Sequence, residues 1–203
     1  MKLYNFLHKV LGGIVRRLFC IRVRNQEKEP ETGNYLVCAN HTALVDPIIL
    51  AAGLRHQRVH FMAKKELFKI PLVASFFRSL GAFPVDRKGA SVAAIKTAVA
   101  ALKEGNSVSM FPQGTRCPHV DPRTTEVKSG AGMIAYRSGC DVLPIYIKTK
   151  KNKTGMFRRC ECIIGDVIRN GELGFVDGGS EEYEAATRII FDRICSLGES
   201  ENA

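Results

Sequence analysis

Residues 35–47 read Tyr-Leu-Val-Cys-Ala-Asn-His-Thr-Ala-Leu-Val-Asp-Pro, and residues 48–54 continue Ile-Ile-Leu-Ala-Ala-Gly-Leu. Tyr35 to Ala39 is an unbroken run without charge, the mark of a strand buried on both faces. Pro47 then opens an apolar helix through about Leu54, because proline's missing N–H costs nothing in a first turn. A buried strand handing over to a helix is the repeating unit of an α/β domain. His41 and Asp46 fall in the hinge between the two.

Working outward, strand-like and helix-like stretches alternate. Strands are expected at Ile21–Val23, Val59–Met62, Ala82–Val85, Ser107–Phe111, Val142–Lys148 and Cys160–Ile164. Helices are expected at Ser91–Glu104, Lys128–Ser138 and Glu181–Leu197. Glu66–Ser79 reads as two short helices broken before Pro71, since the residue ahead of proline is pushed out of helical geometry. Ser91 suits an N-cap and Gly105 the left-handed stop of the clearest helix. There is no internal repeat and no linker. The pattern predicts a single α/β domain over residues 20–203, a central mostly parallel or mixed sheet covered by helices.

The 203 residues are 45% apolar and 25% charged, which fits one domain with a sizeable core and excludes a largely disordered or collagenous chain. Thirty Lys+Arg against 20 Asp+Glu give a net charge of +10, favouring anionic partners. Nucleic acid is not expected, because no basic–aromatic interleaving or binding module accompanies the charge. Seven cysteines, an odd number without C-x-x-C pairs, point to a reducing, cytosolic setting. His56 and His60 are four apart but run into a strand with no further ligand nearby, so no metal site is expected.

At the amino terminus, Leu3, Leu7, Val10, Ile14 and Leu18 recur at helical spacing, with Lys2, Lys9, Arg16 and Arg17 around them. Residues 1–28 hold seven Lys+Arg and one acid. No apolar run here is long enough to span a bilayer. Residues 1–19 therefore read as an amphipathic helix that either packs on the core or lies in a headgroup layer, the local charge favouring the membrane. Lys148–Arg159 holds six positive residues and no acid, a solvated surface that can also help hold an anion.

Chemistry concentrates in three places. A histidine at a strand end is placed to act as a base, and an aspartate beside it would fix its tautomer, the logic of a hydrolase triad without its serine. Asp46 would serve equally as the helix N-cap. Gly81-Ala82-Phe83-Pro84-Val85-Asp86-Arg87 and Phe111-Pro112-Gln113-Gly114-Thr115-Arg116 each run Phe-Pro toward an arginine, whose planar fork matches phosphate oxygens. Gly114 permits close backbone approach, and Thr115 offers a hydroxyl and an amide. Lys64, after the Val59–Ala63 strand, is a third cation.

Taken together, HTALVD, GAFPVDR, FPQGTR and Val142-Leu143-Pro144-Ile145-Tyr146 occur in the order and spacing of four blocks of a known family. The chain resembles the bacterial 1-acyl-sn-glycerol-3-phosphate acyltransferases of the glycerolipid acyltransferase superfamily, from about residue 20 to 170. The resemblance implies transfer of an acyl chain from a thioester, on coenzyme A or acyl carrier protein, to a lysophosphatidate hydroxyl, with no further cofactor. It implies His41 as general base, Asp46 as its orienting partner, and Arg87, Arg116 and Lys64 as phosphate-binding groups. A peripheral or monotopic place on the cytoplasmic side of the cell membrane is expected. Sister enzymes acting on glycerol 3-phosphate or another lysophospholipid share this logic, as would a non-catalytic lipid-phosphate-binding relative. One departure stands out: Gln113 occupies the position where the family usually has glutamate. No G-x-S-x-G elbow or nucleophilic cysteine motif is present, which favours direct transfer over an acyl-enzyme.

Overall fold

The computed structural model describes residues 12–79, 81–85 and 91–199. Seven strands form one sheet: β1 (Ile21–Arg24), β2 (Leu36–Ala39), β3 (Val59–Lys64), β4 (Ala82–Val85), β5 (Ser107–Met110), β6 (Val142–Thr149) and β7 (Cys160–Ile164). Their order is β1-β7-β6-β2-β5-β3-β4. Five neighbours, β6 to β4, run parallel, while β7 turns back antiparallel to β6 and carries β1 alongside it in parallel. The expected mixed, mostly parallel sheet is observed.

Helices cover both faces. They are α1 (residues 12–18), α2 (Asp46–Gly53), α3 (Pro71–Ser79), α4 (Ser91–Lys103), α5 (Gly130–Ser138) and α6 (Ser180–Glu199). Strand β2 explains the layering. Leu36 and Cys38 point into the core shared with α4, α5 and α6, where Leu102, Ile134 and Ile190 meet them. Val37 and Ala39 point the other way, against Ile49 and Leu50 of α2. All four β2 residues are fully buried, which is why the segment reads as a continuous apolar run. A smaller cluster of Ala51, Phe61, Ala63 and Ala82 closes the β3–β4 end.

Helix boundaries follow local chemistry. A 3₁₀ turn at Lys65–Lys69 precedes α3, with the break at Ile70 that Pro71 imposes. Gly105, at φ +86, ends α4, and the Asn106 N–H closes the turn on the Ala101 carbonyl. Where an N-cap role for Asp46 was the alternative, the cap position is held by Val45 and Asp46 is the first helical residue.

Of the amphipathic helix expected over residues 1–19, residues 1–11 lie outside the described residues. Over 12–18 the chain is helical, with Val15 buried. The Arg16 guanidinium donates to the Ala52 and Gly53 carbonyls at the end of α2. Its burial there and the nearby Arg55 lower its pKa. No helix among the described residues is long and apolar enough to cross a membrane.

The functional consequence is positional. The segments after β2, β3, β4, β5 and β6 all leave from the carboxyl edge of the same five parallel strands. Open α/β sheets gather their ligands at that edge.

Candidate active site

Strand β2 ends at Ala39, and Asn40 extends it by side chain instead of backbone. The Asn40 amide donates to the Ile147 carbonyl at 3.1 Å, and its oxygen accepts the Ile147 N–H at 2.7 Å. This stitches the end of β2 to β6 and fixes where the next residue, His41, leaves the sheet.

Between His41 and Asp46 the chain folds back on its own carboxylate. Asp46 Oδ2 accepts the backbone N–H of Thr42 at 2.6 Å and of Ala43 at 2.7 Å, and pairs with His41 Nδ1 at 2.9 Å. Oδ1 accepts the Thr154 hydroxyl at 2.8 Å. With that proton committed, the Thr42 hydroxyl donates to Thr154 Oγ1 across 2.9 Å. The Asp46 side chain is wholly buried, so these bonds, and its place at the positive end of α2, offset the desolvation of its charge. The five-residue separation therefore has a physical origin: a loop of this length lets one carboxylate gather two of its own amides and still reach the imidazole.

The tautomer follows. A carboxylate can only accept, so His41 carries its proton on Nδ1 and presents a lone pair at Nε2. The ring stacks on Phe111, with centroids 4.1 Å apart and planes 19° from parallel, and keeps a 14% exposed side chain. Nε2 has no hydrogen-bond partner among the described residues.

The segment after β5 holds the histidine from behind. Gln113, 2% exposed, accepts the His41 N–H through Oε1 at 2.7 Å and donates through Nε2 to Thr125 Oγ1 at 2.8 Å. The Thr125 hydroxyl in turn donates to the Pro122 carbonyl at 2.6 Å. The His41 carbonyl accepts the Cys117 N–H at 2.8 Å. Gly114 turns this segment at φ +65, its N–H bonded to the Phe111 carbonyl, and a Cβ there would fall 2.8 Å from Lys128 Cδ.

Of the residues picked out by sequence, His41, Asp46 and Gln113 are brought into one bonded cluster. Gly114 and Thr115 form the adjacent turn. Arg116 is exposed, one residue before the Cys117 amide that holds His41, and makes no hydrogen bond or ion pair with a described residue. Lys64 closes β3 at the same sheet edge. Arg87 lies outside the described residues. Sequence reading missed the braces: Asn40, Thr125 and above all Thr154. Asn40 and Phe111 were signalled by adjacency to the motifs. Thr154 carried no signal, since it sits in a stretch legible only as basic surface.

A buried carboxylate, an oriented imidazole and an arginine loop at one sheet edge suit base-assisted group transfer to an anionic acceptor. Residues 20–148 match the family model described as Acyltransferase. The chain belongs to the acyltransferase family. The acyltransferase match takes in His41, Asp46 and the 111–116 loop and stops before Thr154. Among relatives, the chain is 30% identical over 197 residues to the 1-acyl-sn-glycerol-3-phosphate acyltransferase of Bacillus subtilis (strain 168), covering 96% of each. It is 34% identical over 137 residues to the protein of the same name from Streptococcus pneumoniae, spanning 66% of this chain and 50% of that one. The crystal structure of the 1-acyl-sn-glycerophosphate (LPA) acyltransferase PlsC from Thermotoga maritima aligns with a TM-score of 0.73 at 27% identity. That alignment covers 100% of this acyltransferase and 83% of the other chain.

Proposed function

We propose that the protein transfers an acyl chain from an acyl thioester to the free hydroxyl of 1-acyl-sn-glycerol 3-phosphate, giving phosphatidic acid. The observation that carries this is the His41 Nδ1–Asp46 pair at 2.9 Å, with Nε2 left open beside the loop that bears Arg116. The name shared by relatives in several bacteria supports the acceptor.

In the proposed reaction, Arg116, with Arg87 and Lys64, holds the acceptor phosphate, and the acceptor hydroxyl donates to His41 Nε2. The hydroxyl oxygen attacks the thioester carbonyl as its proton passes to Nε2, and Asp46 stabilises the imidazolium that forms. The C–S bond then breaks, and the departing thiolate recovers the proton from Nε2. The new bond is C–O, the histidine is regenerated, and no acyl-enzyme is formed. A thiolate is a good leaving group, so an acyl thioester on coenzyme A or acyl carrier protein is the single co-substrate required. Phosphate binding turns affinity into positioning, because it brings the hydroxyl to the base. Residues 1–19 would hold the enzyme peripherally to the cytoplasmic face of the membrane, where its amphiphilic acceptor resides.

The test is an assay with acyl-CoA and acyl-carrier protein against lysophosphatidate, glycerol 3-phosphate and uncharged lysolipids, beside His41→Ala. Loss of the base should lower turnover by roughly 10²–10⁴-fold with acceptor binding retained. Full activity in His41→Ala, or no thioester consumption by the wild type, would end the reading.

A further inference from the structure

The carboxyl edge of the sheet carries a feature the chemistry does not use. Among the described residues, eleven large apolar side chains are exposed, and seven of them stand in the segments leaving this edge: Leu44, Ile70, Leu72, Val92, Val120, Met156 and Phe157. Leu44 follows β2, Ile70 and Leu72 follow β3, Val92 follows β4, Val120 follows β5, and Met156 and Phe157 follow β6. Scattered exposed apolar residues need no explanation, but a set gathered on one edge does.

Hydrogen bonds make three of these segments one continuous rim. Thr154 ties the β6–β7 loop to the 42–46 loop through Asp46 and Thr42. The His119 N–H donates to the Asn152 carbonyl at 2.9 Å, and the Asn152 amide donates to the Val120 carbonyl at 3.0 Å. The Phe157 N–H donates to the Leu18 carbonyl at 2.7 Å. Lys150, Lys151, Lys153 and Arg158 stand exposed along the same loop, which contains no acid between Lys148 and Arg159. Acids are few nearby: Asp121 is engaged by Arg123, Glu161 by Arg159, and Glu126 is exposed.

The backbone argues against accident. Lys151, Asn152 and Phe157 have φ of +59, +47 and +57, a region that side chains other than glycine, asparagine and aspartate rarely occupy. The loop thus holds an aromatic ring in a costly backbone geometry and leaves it 74% exposed. Water alone gives no return on that arrangement. A layer of acyl chains beneath anionic headgroups does, because it takes the ring and the thioether while the lysines meet phosphate.

We infer that this edge is a bilayer-docking surface, with Met156 and Phe157 as an apolar wedge and the lysines around it as an electrostatic rim, acting beside residues 1–19. It rests on the reading above for what docking serves, namely delivery of an acceptor from the membrane into the site. The docking itself rests on the surface alone. Because Thr154 lies three residues from Phe157 and bonds to Asp46, the wedge is built on the same loop that steadies the catalytic pair.

The experiment is vesicle flotation of the full-length chain with phosphatidylcholine alone and with phosphatidylcholine–phosphatidylglycerol mixtures, at low and high salt. Met156→Ser/Phe157→Ser should lower partition onto both vesicle types by about tenfold or more. Lys150→Gln/Lys151→Gln/Lys153→Gln should lower it on anionic vesicles only and flatten its salt dependence. Both variants should turn over a short-chain, water-soluble acceptor as the wild type does. Wild-type partition by both variants overturns the inference, as does loss of soluble-acceptor turnover in step with partition. Vesicle binding that depends on the wedge in a protein that consumes no thioester would sink the acyl-transfer reading and leave this surface standing.

Discussion

Asp46 accepts from two amides, one hydroxyl and the imidazole, so each removed donor is read out at His41. Thr154→Val deletes the hydroxyl on Oδ1 at nearly constant volume. A hydrogen bond to a charged group is worth about 1.5–3 kcal/mol, so kcat should fall roughly ten- to hundredfold with the acceptor KM unchanged. Thr154→Ser should restore most of it, and equal loss in the serine variant would mean that the methyl group matters instead. Gln113 answers its own question. It uses one acceptor toward the His41 N–H and one donor toward Thr125, so the neutral amide matches both partners. In Gln113→Glu the Thr125 hydroxyl must leave the Pro122 carbonyl to serve the carboxylate, and a charge must be buried where a neutral amide was satisfied. Stability should drop by about 1–3 kcal/mol in urea unfolding, with no gain in turnover. Higher activity in the glutamate variant would show that the wild-type site lacks a charge it needs.

At the scale of elements, the α5–α6 crossing is held by the absence of a side chain. A Cβ on Gly132 would sit 2.2 Å from the Tyr183 carbonyl oxygen, and the Gly132 N–H, in the first turn of α5, is satisfied by Thr187 Oγ1 at 2.9 Å. Gly132→Ala should therefore destabilise the fold by about 1–3 kcal/mol despite alanine's better helix propensity, measured as a lower urea midpoint. Alternation along the chain announced nearly every strand and helix, because fully buried strands and capped helices write themselves into short windows. Leu36–Ala39 and the α4 stripe ending at Gly105 are the clearest cases. The reversal of β7, which brings β1 to the sheet's end, was not legible, since nothing local to Cys160–Ile164 distinguishes a parallel from an antiparallel neighbour. In the site, residues on each side of a motif could be read, whereas Thr154 reaches Asp46 across 108 residues through a contact that no spacing rule contains.

On the scale of the whole molecule, the two ends of the sheet have different chemistry. His60, near the start of β3 and far from the catalytic edge, is half-buried, and that burial lowers its pKa below the ordinary value of 6.5. The unfolded chain therefore takes up this proton first as pH falls. The stabilising contribution is complete above the unfolded pKa and is lost as pH drops through the lower folded one. Between neutrality and about pH 5, wild-type unfolding midpoints should fall more steeply than those of His60→Gln, and parallel slopes would assign the effect elsewhere. At the opposite end, His41 is clasped by its amide and its carbonyl to a single segment, through Gln113 and Cys117, and Arg116 grows from between those two holds. In the proposed reaction, proton acceptor and phosphate anchor thereby share one short backbone frame, like the jaws of a caliper. Such a frame gauges length before it senses identity: an alcohol whose oxygen lies one carbon farther from phosphorus would still be gripped, and would miss.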